Sequence, residues 1–311
     1  MTSGEKDLSR REDRIVIAVR GPSAERLDRH VSSALSWKSR ARVQQLIDQG
    51  RVTVNGVPAK ASRKVRPGDR IVVDLSGEGA NPPEYSRLRL EILYEDPWLV
   101  AVDKPPGMLV HPVGPHVYDT LLNYLHHRYR GQTFPDGEPV RPRLCHRIDK
   151  ETTGVVLVGK DTYVHNALRA QFEGRRISKE YVALVRGRYG GDGEIDIPIG
   201  EGGDLASSLD HRCRKPSRTV VRALRRYRDA TLLSCVPATG RQNQIRIHLA
   251  AVGHPIVGDE RFGSNSPDPG FPERYLLHSR RLAFHHPREK LRVELEAPLP
   301  RDFAELLERL P

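Results

Sequence analysis

Hydrophobic positions along the chain recur with two periods. In ERLDRHVSSAL, residues 25–35, Leu27, Val31 and Leu35 fall every four positions, the spacing of one helix face. In SRARVQQLIDQG, residues 39–50, Val43, Leu46 and Ile47 make a second helical stripe, and Gly50 suits the C-terminal cap. The period then drops to two. RVTVNGVPA, residues 51–59, alternates valines around Asn55-Gly56, a strong hairpin signal, and KVRPGDRIVVDL, residues 64–75, turns at Pro67-Gly68-Asp69 into another strand. With the alternating stretch from Ile15 to Val19, these elements predict one small domain over 15–75, behind a polar tail, 1–14, expected to be disordered.

SGEGANPPEYSR, residues 76–87, is rich in Gly, Pro and Ser and reads as a linker. Beyond it one segment runs over 88–311. LEILYEDPWLVAVDK, GVVLVGK, KEYVALVRG and RTVVRALRRY are strand-like; DTLLNYLHHRY and TYVHNALRAQFEG are helix-like. Strands and helices without a regular βαβ rhythm predict an α+β fold on a mixed, largely antiparallel sheet with flanking helices.

Composition narrows the function. The apolar fraction of 37% leaves out 26 glycines, so a packed core is expected. No run approaches the ~18 apolar residues of a membrane helix. The N-terminus, MTSGEKDLSRREDR, has no apolar stretch of a secretion signal, so a cytoplasmic location is expected. Cys145, Cys213 and Cys235 lie far apart without C-x-x-C spacing, and the 13 histidines form no H-E-x-x-H pair, so no metal is expected. The 51 Lys and Arg exceed the 40 Asp and Glu by 11, and the pI is near 9.8, which favours a polyanionic partner, nucleic acid before membrane. Lys38, Arg40 and Arg42 lie off the apolar stripe of the second helix, either as a solvated face or as an RNA-backbone surface.

HRIDKETTGVVLVGKD, residues 146–161, raises a choice. Gly154, four residues, then Gly159-Lys160 nearly completes the phosphate-binding pattern G-x-x-x-x-G-K-[S/T]. Yet Val155-Val156-Leu157-Val158 reads as a buried strand, and Asp161 replaces the magnesium-binding hydroxyl, so no nucleotide cofactor is expected. The first half is polar and turn-rich and delivers Asp149 to the point where the chain joins the sheet. There it either caps a turn or carries reactivity.

Longer motifs bear on that choice. L-D-x-x-V, S-R-A-R-V-Q-Q-L-I-x-x-G-R-V-x-V-N-G and V-x-P-G-D-x-I resemble the S-four-type RNA-binding module over nearly all of 25–75. HRIDKETTGVVLVGK, ISKEYVALVRG and TGRQNQIRIHLAAVGHPIVGDERFG resemble the RluA/RluD type of pseudouridine synthase, as do LYEDPWLVAVDKPPGMLVHP before them and HSRRLAFHHP with APLPRDF after them, spanning about 88–305. The resemblance implies an isomerase of uridines in RNA, without cofactor and expected to be a monomer, closest to RluD-like members that act on large-subunit ribosomal RNA. It implies Asp149 as the catalytic carboxylate, Arg246 as its cationic partner, Tyr181 beside the target base, Arg147 filling the space that the base vacates, and Arg241 supporting a loop or touching phosphate. His146 and Gly154 are expected to be structural. Read as a strand, QIRIH turns Ile245 and Ile247 away and puts Arg246 on one polar face with Gln244 and His248. Departures are Gln242-Asn243 for the common Thr-His, Asp103 for Asn and Thr153 for Ser. The competing expectations are an inactive RNA-binding assembly factor, a synthase acting on transfer RNA, and a nucleotide-dependent enzyme.

Overall fold

A computed structural model of the chain describes all residues except 1–7, 11–12, 20–23, 36–37, 78–82, 115, 201–214 and 264–272. Most of the expected tail, the middle of the expected linker and Cys213 therefore lie outside the described residues. By compactness the chain divides into one unit of Met1–Leu88 with Leu109–Gln132 and a second of Arg89–Met108 with Thr133–Pro311.

The first unit contains β1 (Arg14–Ala18), β2 (Glu25–Arg26), α1 (Leu27–Ala34), α2 (Arg40–Asp48), β3 (Val52–Val54), β4 (Val57–Pro58), β5 (Lys64–Val65), β6 (Arg70–Asp74) and α3 (Leu121–Arg128). A four-stranded antiparallel sheet runs in the order β1-β6-β3-β4, and β2 pairs with β5. Both helical stripes expected from the sequence are buried here: Leu27, Val31, Leu35, Val43, Leu46 and Ile47 share one core with Val52, Val54, Ile71 and Val73. Ser39 caps α2 by accepting from the Arg42 amide. Asn55 and Gly56 have φ of 54° and 83°, the left-handed pair that a two-residue hairpin turn needs. The Asn55 side chain then donates to Asp69 (2.8 Å) and accepts from the Arg70 amide (2.9 Å), tying the hairpin to the Pro-Gly-Asp turn. Asn123 of α3 donates to the Leu8 carbonyl, and Arg130 to the Ser9 hydroxyl, so these two residues of the tail are held.

The second unit contains β7 (Glu91–Glu95), β8 (Leu99–Lys104), β9 (Arg143–Leu144), β10 (Thr153–Gly159), α4 (Thr162–Glu173), β11 (Ser178–Arg186), β12 (Gly193–Asp196), β13 (Arg218–Arg226), β14 (Ala230–Pro237), α5 (Gln244–Ala251), β15 (Leu277–His285), β16 (Arg292–Glu296) and α6 (Arg301–Arg309). Its ten-stranded sheet runs β12-β13-β14-β11-β15-β10-β8-β7, with β16 on β15 and β9 on β10. Among the described pairs only β10 and β15 are parallel, so the sheet is mixed and largely antiparallel, as expected.

The near-match to a phosphate loop is accounted for by packing. Every residue of β10 is buried. Gly154 has φ +105°, and a Cβ there would lie 2.2 Å from the Ser279 carbonyl; one on Gly159 would lie 2.8 Å from the His165 amide of α4. Gly154 thus lies inside the strand, at the close crossing with β15, rather than in a turn. Lys160 is paired with Glu95 at 2.8 Å, and Asp161 caps α4 through the Val164 amide.

One expectation is corrected. QIRIH is not a strand: Gln244 opens α5, and every residue from Gln244 to Leu249 is buried. A helix buried all round has no polar face, so its alternation did not report a pleat. Gln244 and His248, four apart, both reach Thr219, while Arg246 points elsewhere.

Gly154→Ala should therefore destabilise the protein by about 2–4 kcal/mol, combining backbone strain with overpacking against β15. Gly56→Ala, where a Cβ meets nothing within 4 Å, should cost only about 1–2 kcal/mol for its φ. Urea denaturation midpoints check both, and equal losses would contradict the close-crossing account.

Candidate active site

Residues 145–152 form an extended loop that, with the first residue of β10, is pinned at several points. The Cys145 amide donates to the Leu157 carbonyl, and the Leu157 amide donates back to His146 Nε2 at 2.9 Å. The His146 ring stacks on Phe172, with centroids 4.6 Å apart. Burial, with Lys179 nearby, pushes the imidazole down to about 3, so it stays neutral and can accept. Thr152 shares a hydrogen bond with the Tyr275 hydroxyl (3.2 Å). Thr153 bonds His278 Nδ1 (2.8 Å), whose Nε2 lies 3.1 Å from the Ala297 carbonyl.

Lys104, at the end of β8, is wholly buried and donates to the carbonyls of Pro105 (2.7 Å), Met108 (2.9 Å) and Lys150 (2.8 Å). Burial pushes its ammonium down to about 7, against the attraction of Glu151, Asp149 and Asp103. It fixes the backbone one residue after Asp149. Asp103, beside it, is raised to about 6 by burial and by Glu91 across the strand, and accepts from the Gly154 amide.

Asp149 is held on this loop with its side chain 37% exposed. The surrounding protein desolvates the carboxylate enough to raise its pKa, an effect that Asp259 reinforces and that Arg246, Arg147 and Lys104 oppose. Arg246 Nη1 lies 3.8 Å from Asp149 Oδ2.

That arginine is closely held. Its Nε and Nη2 donate to the two oxygens of Asp259 at 2.7 and 2.9 Å, and Nη1 donates to Asn243 Oδ1 at 2.9 Å. Its guanidinium lies over the rings of Tyr275 (4.1 Å) and Phe262 (4.7 Å). Burial alone would weaken its charge, but the hydrogen bonds to Asp259 more than offset this and raise the pKa. Asn243, which precedes the helix, has φ 54°, a left-handed conformation that Asn tolerates well.

Tyr181, on β11, lies near enough to Asp149 to feel its charge. Its phenol is hydrogen-bonded to Ser279, and burial, with a contribution from the charge of Asp149, pushes it up to about 12. Arg147 is exposed, and its charge acts on Asp149. The Arg241 amide donates to Gln244, while its Nε is buried without a partner among the described residues. Asp149, Tyr181, Arg246 and Arg147 thus converge. Lys38, Arg40 and Arg42 lie in the first unit: Arg40 is exposed and 3.8 Å from Asp28, and Arg42 donates to Gln45.

The arrangement offers one carboxylate, one fixed cation and one neutral phenol. Among the described residues, the metal-sized grouping is Asp96, His286 and Glu289, in the loops before β8 and after β15. His286 Nδ1 accepts from the Arg288 and Glu289 amides, so Nε2 carries the proton given to Asp96 and has no lone pair for a metal. Sequence reading missed Lys104, Asp259 and Tyr275, and noted Asn243 only as a departure from the family pattern, without the hydrogen bond it makes to Arg246. Asp259 and Tyr275 are distant from Asp149 in the chain, and no local spacing marks them.

Comparison with known proteins bears on the site. The family model described as RNA pseudouridylate synthase matches residues 98–251, and the S4 domain model matches residues 25–71. An uncharacterized RNA pseudouridine synthase of Bacillus subtilis is 38% identical, with 92% of this chain and 94% of that protein covered. Ribosomal large subunit pseudouridine synthase D of Nitrosomonas europaea is 36% identical over 92% of this chain and 84% of that protein. The solved structure of human RNA pseudouridylate synthase domain containing 4 is similar, with a TM-score of 0.59 and 26% identity, over 71% of this chain and 94% of that one.

The electrostatics predict opposite stability effects for the two ends of the ion pair. Arg246→Met strands the buried Asp259 carboxylate and should cost about 3–5 kcal/mol. Asp149→Asn should leave stability unchanged or raise it near neutral pH. Because the folded state raises the Asp149 pKa, that carboxyl costs stability as pH rises through the carboxylate range, and the cost vanishes on acidification. Urea titrations of both variants across pH check this, and a strongly destabilised Asp149→Asn would refute it.

Proposed function

This chain belongs to the RNA pseudouridylate synthase family, isomerases that convert uridine in RNA to pseudouridine, and we propose that its substrate is large-subunit ribosomal RNA. The substrate reading rests on relatives named for that RNA, which cover most of the chain. In this reading the S4 module, with Lys38, Arg40 and Arg42, contacts the RNA backbone, and residues 76–87 link it to the catalytic segment 88–311. The enzyme, in this reading, works as a monomer in the cytoplasm.

The reaction breaks the bond from ribose to the uracil ring nitrogen, turns the base and rejoins it through a ring carbon. The proton leaves that carbon and the ring nitrogen gains one, so no redox partner or energy source is needed. One carboxylate suffices, by adding to the ribose carbon or by assisting departure of the base, and Asp149 is assigned that role. The observation that carries the assignment is the clamped Arg246, whose Nη1 faces the Asp149 carboxylate at 3.8 Å. A cation fixed there keeps the desolvated carboxylate ionised. Tyr181 stays protonated at neutral pH, which suits stacking against the uracil ring. Arg147 has the planar group needed to fill the stack from which the uridine is drawn, a step that costs a few kcal/mol.

Tritium at the ring carbon that becomes bonded to ribose is released on turnover. Wild-type protein should release it from large-subunit RNA transcripts and not from transfer RNA transcripts, and Asp149→Asn should lower release at least about a thousandfold while still binding RNA. Release from transfer RNA alone would move the substrate; no release from either, with binding intact, would favour the inactive assembly factor. Arg147→Gln removes one of the cations opposing protonation of Asp149, so the acidic limb of its pH–rate profile should move to higher pH. A limb at the wild-type position would exclude that electrostatic contribution.

A further inference from the structure

We propose that Lys179 binds a backbone phosphate of the RNA beside the nucleotide that reacts. The inference rests on the RNA reading above and adds a contact to it. Lys179 precedes Tyr181 by two residues on β11. The register slip against β15 puts the extra residue, Arg280, on β15, so Lys179 and Tyr181 share one face of an unbroken strand. Its ammonium lies beside the loop that leads to α5: a Cβ on Gly240 would meet Lys179 Nζ at 3.8 Å. The next residue is Arg241, whose Nε is a buried donor without a partner among the described residues.

Among the described residues, no carboxylate pairs with Lys179. Glu180, its neighbour on the opposite face, is taken by the Ser234 hydroxyl at 2.7 Å and by Arg281 at 3.7 Å. Asp259 is committed to Arg246. His146, on the other side, is a neutral acceptor already bonded to a strand amide. Burial accordingly lowers the Lys179 pKa with nothing opposing it. A partly desolvated cation without a counter-ion is costly unless an anion arrives. Here two such groups, Lys179 and Arg241, flank a glycine on the wall that carries Tyr181. A phosphate bridging them would receive charge-assisted hydrogen bonds from both and set the register of the strand whose base meets Tyr181.

The test uses full-length wild type, Lys179→Gln and Lys179→Arg, with a fluorescent 20-nucleotide oligouridylate as probe. Dissociation constants are measured across a range of potassium chloride. Loss of one phosphate contact should flatten the slope of log affinity against log salt by about 0.7 in Lys179→Gln, and Lys179→Arg should restore it. In tritium release from large-subunit RNA, Lys179→Gln should raise KM while leaving kcat within about threefold, since the contact is made equally in ground and transition states. An unchanged salt slope would overturn the proposal, as would a slope that Lys179→Arg fails to restore, the mark of a packing role. If wild type releases no tritium, the isomerase reading fails on its own, and the salt slope still decides whether Lys179 holds phosphate.

Discussion

The site depends on a guanidinium that cannot move. Arg246 is held at two nitrogens by Asp259, at the third by Asn243, and on its faces by Tyr275 and Phe262. Asp259 is itself anchored: its Oδ1 also accepts from the amides of Arg261 and Phe262 at 3.2 Å, and its backbone carbonyl accepts from Gly263, where a Cβ would sit 2.4 Å away. A bidentate carboxylate fixes orientation as well as position, which lysine in place of Arg246 would not provide. The pair therefore serves geometry more than stability: a buried ion pair adds little net folding energy, but it aims one N–H at Asp149 without reorganisation.

The complementary constraint is that Asp149 itself is left unencumbered. Its loop is pinned on both sides, by His146 against β10 and Phe172, by Lys104 at the Lys150 carbonyl, and by Thr152 and Thr153 against Tyr275 and His278. Among the described residues, no hydrogen bond ends on the carboxylate itself. A carboxylate saturated with donors would be a weaker nucleophile and a weaker base. Holding the backbone instead of the side chain keeps the group placed and reactive. The buried Lys104 is the extreme case, spending all three donors on main-chain carbonyls.

Much of this was legible in the sequence. The alternating valines, Asn55-Gly56 and the two apolar stripes predict the first unit because local geometry and burial agree there. Asp149 was legible as a carboxylate in a polar, turn-rich stretch leading into a buried strand, and the valines between Gly154 and Gly159 excluded a phosphate loop. The helix of Arg246 was not. Gln244–His248 alternates polar and apolar residues, yet every one of them is buried; Gln244 and His248 are satisfied by Thr239, Thr219 and backbone carbonyls that arrive from β12–β14 and their loops, and Arg246 by Asp259 and Asn243. Asp259 and Tyr275 escaped notice because both lie in loops and meet Arg246 and Thr152 only through the tertiary fold, which leaves no periodic trace.

The basic balance of the chain then divides by what each cation already touches. Arg246, Arg274 and Lys160 are buried and bound to Asp259, Asp302 and Glu95, and so serve the protein's own architecture. A cation held in that way cannot also neutralise a phosphate without breaking its pair. Cations that are not locked in such buried pairs are the ones that can meet phosphate, and the net excess of 11 positive charges favours that encounter and its salt dependence. A substitution among the first group should act through fold and chemistry, one among the second through affinity. The same residue type, arginine, is divided between the two by whether it is locked in a buried pair, as Arg246 is with Asp259, or makes only a long surface contact, as Arg40 does with Asp28 at 3.8 Å.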